Sequence, residues 1–186
     1  GESDMGDPQP LVDFVAWATE NYPAERTVLI LSDHGLGWPG GWSDPNPGGT
    51  DQTKAPLTSF LKGDFIFLTE LDEALAEIQD RNIVQKFDII GMDACLMSQM
   101  EVYSVLQPYA SYAVASEETE PGLGWAYAGF LEDLVNNPDM SAAQLATDIV
   151  DTYIQGDQRI VDSQARSEFL RQGSQMGGFF GVQDVG

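Results

Sequence analysis

Two short apolar segments constrain the fold of this chain more than any other feature. They cover residues 27–32 and 87–92, and both are apolar almost throughout. Unbroken apolar runs of this length are typical of strands that are covered on both faces, as in parallel sheets. Helical patterns alternate with these segments. The sequence therefore predicts an α/β fold, with a mostly parallel sheet flanked by helices on both faces.

Weaker patterns predict the remaining elements. An apolar stripe at helical spacing predicts a first helix that is capped by Asp7, has Pro8 in its first turn and ends before Pro23. Thr69 and Asp72 have the spacing of a capping pair for a helix through residues 71–78. Further expected elements are an edge strand at 65–68, a helix after residue 95 that Pro108 ends, a third strand at 112–116, and helices at 127–136 and 141–155, the last capped by Ser141.

Length and composition fit one globular domain over residues 1–186, with 42% hydrophobic residues and four tryptophans. Residues 33–64 are rich in glycine and proline and are predicted to form a long exposed loop without regular structure. Residues 156–186 lack periodicity and form a poorly defined tail. We therefore expect the structured part of the chain to end near residue 155.

The strongly negative net charge of the chain indicates which classes of partner it can bind. Thirty acidic residues against eight basic ones give a net charge of −22, which repels nucleic acids and anionic membranes and favours cationic ligands or divalent cations. A solvated acidic surface without a binding role explains the same charge equally well. No apolar segment approaches the length of a membrane span, so membrane insertion is not expected.

The reactive side chains follow the two apolar segments. His34 comes just after the first, Cys95 just after the second, and they are the single histidine and the single cysteine of the chain. Neighbouring parallel strands would bring both to one edge of the sheet, where a thiol and an imidazole form a nucleophile and its acid–base partner. Cys95 is also expected to lie at the N-terminus of the next helix, which would favour the thiolate.

The backbone N–H groups of Gly35 and Cys95 could hold a developing oxyanion, and the pattern indicates a cysteine peptidase. Each residue also has a simpler interpretation. A lone cysteine is more often a small buried hydrophobic residue, and a lone histidine is more often structural.

Several motifs share their order and spacing with a known family. The chain resembles the clostripain family of clan CD cysteine peptidases, relatives of caspases, gingipains and legumain, over roughly residues 4–155. The motifs are Met5-Gly6-Asp7-Pro8, His34-Gly35, Asp93-Ala94-Cys95-Leu96-Met97, Val114-Ala115-Ser116-Glu117-Glu118 and Glu120-Pro121-Gly122-Leu123-Gly124-Trp125-Ala126-Tyr127. The resemblance implies a caspase–haemoglobinase fold, and relatives usually have earlier strands that are not found before Met5.

The resemblance also implies an activity. His34 and Cys95 match the catalytic dyad of an endopeptidase that cleaves peptide or protein substrates after arginine or lysine, through a thioester. Asp93 matches the acidic residue of the primary specificity pocket. Ser116 and Glu117 match the wall along which the substrate lies extended.

Other family properties follow in the same way. No cofactor is required for the chemistry, but relatives use calcium and cut themselves in the loop between the two catalytic motifs. Lys54 and Lys62 are the candidate processing sites in that loop, or else two ordinary solvated lysines. The family favours a secreted or cell-envelope location.

Some features favour other interpretations. Leu123 stands where many relatives carry a second acidic residue, which would weaken or shift the preference for basic substrates. The alternative to a peptidase is a catalytically idle caspase-like module that regulates a complex or binds basic peptides. Further acidic residues could bind calcium or simply form a solvated face, namely Glu117, Glu118, Glu120, Asp44 and Asp51.

Overall fold

The computed structural model describes residues 3–44, 64–120, 122, 124–155, 162–164, 166–167 and 171. The chain forms two compact units, Gly1–Thr119 and Glu120–Gly186. That residues 1–186 form a single domain stays a prediction. Lys54, Lys62, Asp51 and Leu123 lie outside the described residues, as does most of the predicted tail.

The first unit contains three helices and five strands among its described residues. The helices are α1 (Gln9–Asn21), α2 (Leu68–Asp80) and α3 (Met100–Leu106). The strands are β1 (Val28–Ser32), β2 (Gly40–Asp44), β3 (Asp64–Phe67), β4 (Phe87–Asp93) and β5 (Ala110–Ala115). Strands β1, β4 and β5 form a three-stranded sheet in the order β1-β4-β5, and both pairings are parallel. The predicted parallel sheet is confirmed.

Burial differs between the two strands that were expected to be covered on both faces. β4 is the central strand of this sheet, and six of its seven residues are buried. β1 lies at one side of β4, and only Leu29 is buried in it. The prediction of two covered faces is therefore wrong for β1, because its apolar pattern does not reveal whether the strand is central.

The glycine-rich segment after β1 is not a plain loop. β2 pairs antiparallel with β3, and the described part of residues 33–64 thus includes a strand that the sequence analysis missed. A Cβ atom at Gly40 would lie 2.9 Å from Phe67 Cα, and φ is +127° there. Glycine occurs here because two backbones approach closely, which the composition alone cannot distinguish from loop flexibility.

The helix ends also show which capping predictions hold. α1 begins at Gln9, and Pro8, the residue before it, makes no side-chain cap. The Asp7 carboxylate, one residue earlier, accepts a 2.8 Å hydrogen bond from the Gln9 N–H, so Asp7 contacts the start of α1 without being its capping residue. The capping pair predicted for α2 is wrong, because that helix begins at Leu68 and it is Glu70 that accepts the Phe67 N–H at 3.0 Å.

The second unit contains α4 (Tyr127–Asn136) and α5 (Ala142–Gln155) among its described residues. Both helices were predicted. The Ser141 hydroxyl accepts the Gln144 N–H while the Gln144 side chain accepts the Ser141 N–H, a reciprocal cap that starts α5. In the described residues, no helix is long and apolar enough to cross a membrane.

Tyr109 links the start of β5 to α2, because its hydroxyl donates a 2.8 Å hydrogen bond to Asp72. Burial, this hydrogen bond and the charges of Asp72 and Asp80 raise the pKa of Tyr109 from 10.0 to about 12. We expect Tyr109→Phe to lower the free energy of unfolding by about 1–2 kcal/mol at neutral pH, measured by urea denaturation, because Asp72 loses its donor. Tyr112→Phe, at an exposed tyrosine of β5, is the control and should change little.

The raised pKa also sets the direction of a pH dependence. The unfolded chain releases the tyrosine proton near pH 10.0, whereas the folded chain holds it to about pH 12. The stabilisation is therefore complete below the lower value and is lost as the pH rises through the upper one. The stability difference between the parent and Tyr109→Phe should shrink over this interval, and a constant difference would contradict the assignment.

Candidate active site

The parallel pairing of β1 and β4 brings the two reactive residues to one edge of the sheet. Ser32 lies opposite Asp93 in the register, and the Asp33 N–H donates to the Asp93 carbonyl at 3.3 Å. His34 and Cys95 each follow two residues later. His34 and Cys95 are therefore 61 residues apart in the chain, as are Ser32 and Asp93 at the paired strand ends.

A short hairpin carries His34 away from β1. The His34 carbonyl accepts the Trp42 N–H at 2.8 Å, and the Leu36 N–H donates to the Gly40 carbonyl at 2.9 Å. A hydrogen bond from the Gly40 N–H to the Gly37 carbonyl closes the turn at 2.9 Å. We call residues 34–42 the His34 hairpin. Its backbone hydrogen bonds hold His34 at a defined point beside the sheet.

Gly35 brings this hairpin into contact with the segment that carries Cys95. A Cβ atom at Gly35 would overlap the Cys95 carbonyl oxygen and would lie 2.9 Å from the Met97 side chain and 3.1 Å from Ala94 Cβ. Only glycine allows this approach. Gly35 is buried, whereas His34 is exposed and Cys95 is half-buried. The two reactive side chains are thus accessible beside a tightly packed backbone contact.

The N–H group of Gly35 is not used by the pairing within the hairpin. Gly35 and Gly41 form an isolated antiparallel bridge, and the hydrogen bonds that flank it are donated by Leu36 and Trp42. This geometry suits the predicted oxyanion role of Gly35. That role, and the one expected for the Cys95 N–H, stay predictions.

The backbone after Cys95 differs from the prediction. α3 begins only at Met100, so Cys95 does not lie at a helix N-terminus and that expected source of thiolate stabilisation is wrong. Leu96 has a left-handed φ of +62°, which turns the chain at the end of β4. The N–H groups of Leu96 and Ser98 then donate to the carbonyls of Glu118 and Ser116, at 3.0 and 2.9 Å. These contacts replace the first helical turn.

Asp93 is the last residue of β4 and is only 4% exposed. The Ser32 hydroxyl donates a 3.2 Å hydrogen bond to its Oδ2 atom. The edge that carries His34 and Cys95 therefore also carries a buried carboxyl group, and its predicted role in substrate selection stays a prediction.

Ser116 and Glu117 directly follow β5, whose Ala115 lies opposite Met92 of β4. They therefore leave the sheet at the same edge as Asp93. Ser116 is half-buried and its hydroxyl accepts the Glu118 N–H at 3.2 Å, while Glu117 is exposed. The three parallel strands thus bring all the described site candidates to one edge.

The acidic residues do not form a metal site in the described part of the chain, where no group of three or more His, Cys, Asp or Glu side chains could hold an ion. Asp44 is buried, and its carboxylate accepts the Met5 N–H at 3.0 Å, so it holds the chain before α1 in place. The use of calcium stays a prediction.

Comparison with known proteins identifies the chain. A sequence model described as the clostripain family matches residues 1–166. The chain belongs to the clostripain family. It is 29% identical over 145 residues to Clostripain of Hathewaya histolytica, and the match covers 68% of this chain and 24% of that protein.

Two solved structures are also similar. A secreted C11 cysteine protease from Bacteroides thetaiotaomicron, in complex with an irreversible peptide inhibitor, has a TM-score of 0.59 at 24% identity, over 81% of this chain and 37% of that one. An inactive zymogen of a C11 protease from Parabacteroides distasonis has a TM-score of 0.56 at 25% identity, over 82% of this chain and 37% of that one. The predicted caspase-like α/β fold of the clostripain family is confirmed. The chain spans 24% to 37% of the length of these relatives.

Two polar residues at this edge of the clostripain-family chain were not predicted from its sequence. Ser32 hydrogen-bonds Asp93, and the side chain of Gln99 accepts the Trp38 N–H at 3.0 Å. The repeated 61-residue offset was the available signal, because it pairs Ser32 with Asp93 and Trp38 with Gln99 as it pairs His34 with Cys95.

Proposed function

We propose that this chain carries the catalytic residues of a cysteine endopeptidase, with Cys95 as nucleophile and His34 as general acid and base. The observation that carries the proposal is the contact between Gly35, which follows His34, and the backbone of Cys95. Membership of the clostripain family supports it, since the similar solved structures are cysteine proteases.

The chemistry follows from these groups. The Cys95 thiolate attacks the carbonyl carbon of the scissile peptide bond, and a C–S bond forms as the carbonyl oxygen becomes an oxyanion. The N–H groups of Gly35 and Cys95 hold that oxyanion. The His34 imidazolium then gives its proton to the leaving amine as the C–N bond breaks. The neutral imidazole accepts a proton from the water that hydrolyses the thioester, and the acid is released.

Asp93 would select arginine or lysine before the scissile bond. Its carboxyl group is buried at the sheet edge from which both reactive residues follow, where it could pair a guanidinium or ammonium group of the substrate. Ser116 and Glu117 would contact the extended substrate along β5. The net charge of −22 would in addition attract basic peptide or protein substrates.

Three further properties belong to the proposal. Cleavage after Lys54 or Lys62, in the segment between His34 and Cys95, would process the chain. No cofactor would take part in the chemistry, and calcium could bind and support the activity. A secreted or cell-envelope location is supported by the description of one similar protein as secreted.

Hydrolysis of short peptides tests the function. We expect the 186-residue chain to cleave peptides with arginine or lysine before the scissile bond faster than matched neutral peptides, with and without added calcium. Cys95→Ala should abolish cleavage, because no other cysteine can replace the nucleophile. Absence of cleavage by a folded parent chain under every condition would contradict the proposal and would favour the idle, peptide-binding module.

A further inference from the structure

We infer that Gln99 is a positioning residue that holds the His34 hairpin against the segment carrying Cys95. The inference rests on the proposed peptidase function. Gln99 lies four residues after Cys95, and its Oε1 atom accepts the Trp38 N–H at 3.0 Å. Trp38 lies in the turn of the His34 hairpin, so this hydrogen bond joins the two reactive segments directly.

The fit between the Gln99 amide and the turn is close. A Cβ atom at Gly37 would overlap the Gln99 amide nitrogen and would lie 2.8 Å from Oε1. Gly37 also has a left-handed φ of +77°. Gly37 therefore allows both the left-handed backbone of the turn and the close contact with the Gln99 amide.

The position of Gln99 in the chain points to the same role. It is the residue before α3, where Ser, Thr, Asp or Asn would normally cap the helix. The Gln99 side chain makes no capping hydrogen bond to α3. Its acceptor bonds the His34 hairpin instead.

Two contacts of the hairpin are made with the segment that carries Cys95. At its base, Gly35 packs against Ala94, Cys95 and Met97, and at its turn Trp38 bonds Gln99. The side chains of Leu36 and Trp38 are exposed, so the turn projects into solvent. The returning arm of the hairpin is also held by β3, because Gly40 and Gly41 pair with Phe67 and Ile66 and the Pro39 carbonyl accepts the Leu68 N–H at 3.1 Å. The Gln99 contact adds a direct link between the turn and the segment that carries Cys95, and so fixes the position of His34 relative to Cys95.

The test compares two replacements of similar length. Gln99→Met removes the acceptor, and Gln99→Glu keeps an oxygen that can accept the Trp38 N–H. We expect Gln99→Met to lower kcat by about 10- to 100-fold with little change in KM, because a small misplacement of a catalytic group is costly whereas substrate contacts are kept. The Gln99→Glu variant should keep most of the parent kcat. Gln107→Met, at an exposed glutamine just after α3, is the matched control.

A second readout separates failure of this inference from failure of the proposed function. The rate at which iodoacetamide alkylates Cys95 at neutral pH reports how well His34 supports the thiolate, and no other thiol interferes. We expect both His34→Ala and Gln99→Met to slow alkylation. If the parent is active and His34→Ala slows alkylation, but Gln99→Met equals the parent in kcat and alkylation, the inference is wrong. If the parent is inactive and His34→Ala has no effect, the proposed function is wrong.

Discussion

Replacing His34 by alanine is expected to lower kcat/KM for basic peptides on the order of 10³-fold, because the leaving amine and the attacking water lose their proton carrier. The fold should persist, since the side chain is exposed and the contacts of the hairpin are made by backbone groups. Steady-state kinetics gives the rate, and thermal denaturation checks the fold. KM should change much less than kcat.

Added imidazole provides the control for this experiment. Free imidazole can enter the space left by the ring and accept or give a proton, so it should restore part of the rate of His34→Ala and none of the rate of Cys95→Ala. Leu36→Ala, another exposed position of the His34 hairpin, should keep the parent rate. A folded His34→Ala variant with unchanged kcat would show that His34 is not the general acid and base.

Replacing Asp93 by asparagine should change which peptides are cleaved. The substitution keeps the shape and an oxygen that can accept the Ser32 hydroxyl, but it removes the buried charge. We expect kcat/KM for arginine and lysine peptides to fall about 10²- to 10³-fold, because the cationic side chain would then be buried without its partner. Neutral peptides should be cleaved at nearly the parent rate. The ratio of the two kcat/KM values is the measurement.

Asp88 supplies a matched control on the same strand. Its carboxylate also accepts a hydrogen bond from the β1 side of the sheet, from the Thr27 N–H at 2.8 Å, but it lies at the opposite end of β4. Asp88→Asn should leave the ratio unchanged. Equal losses for basic and neutral peptides in Asp93→Asn would mean that Asp93 supports the fold of the site and does not select the substrate.

The long-range arrangement of the sheet was predictable because its strands carry strong local patterns. The apolar runs at 27–32 and 87–92 correspond to β1 and β4, and their parallel pairing brings His34 and Cys95 to one edge. The helices at 127–136 and 141–155 were found for the same reason, since an amphipathic stripe and a capping serine act within a few residues.

The missed features all depend on residues far apart in the chain. Gly40 pairs with Phe67, so the strand at β2 exists through a contact that its own composition does not encode. Trp42 has a φ of +59° at a bulge in this pairing, an unusual conformation for a bulky residue. The first turn expected after Cys95 is absent because the chain pairs there with residues 116–118.

The sequence by itself determined the α/β class, the positions of β1 and β4 and the reactive side chains that follow them, because apolar patterns and residue chemistry are local properties. Only the tertiary structure decided that Gly35 packs against the Cys95 backbone and that Gln99 holds the turn beyond His34. The physical reason is that both contacts form beyond the parallel register of β1 and β4, which makes neighbours of residues 60 or 61 positions apart.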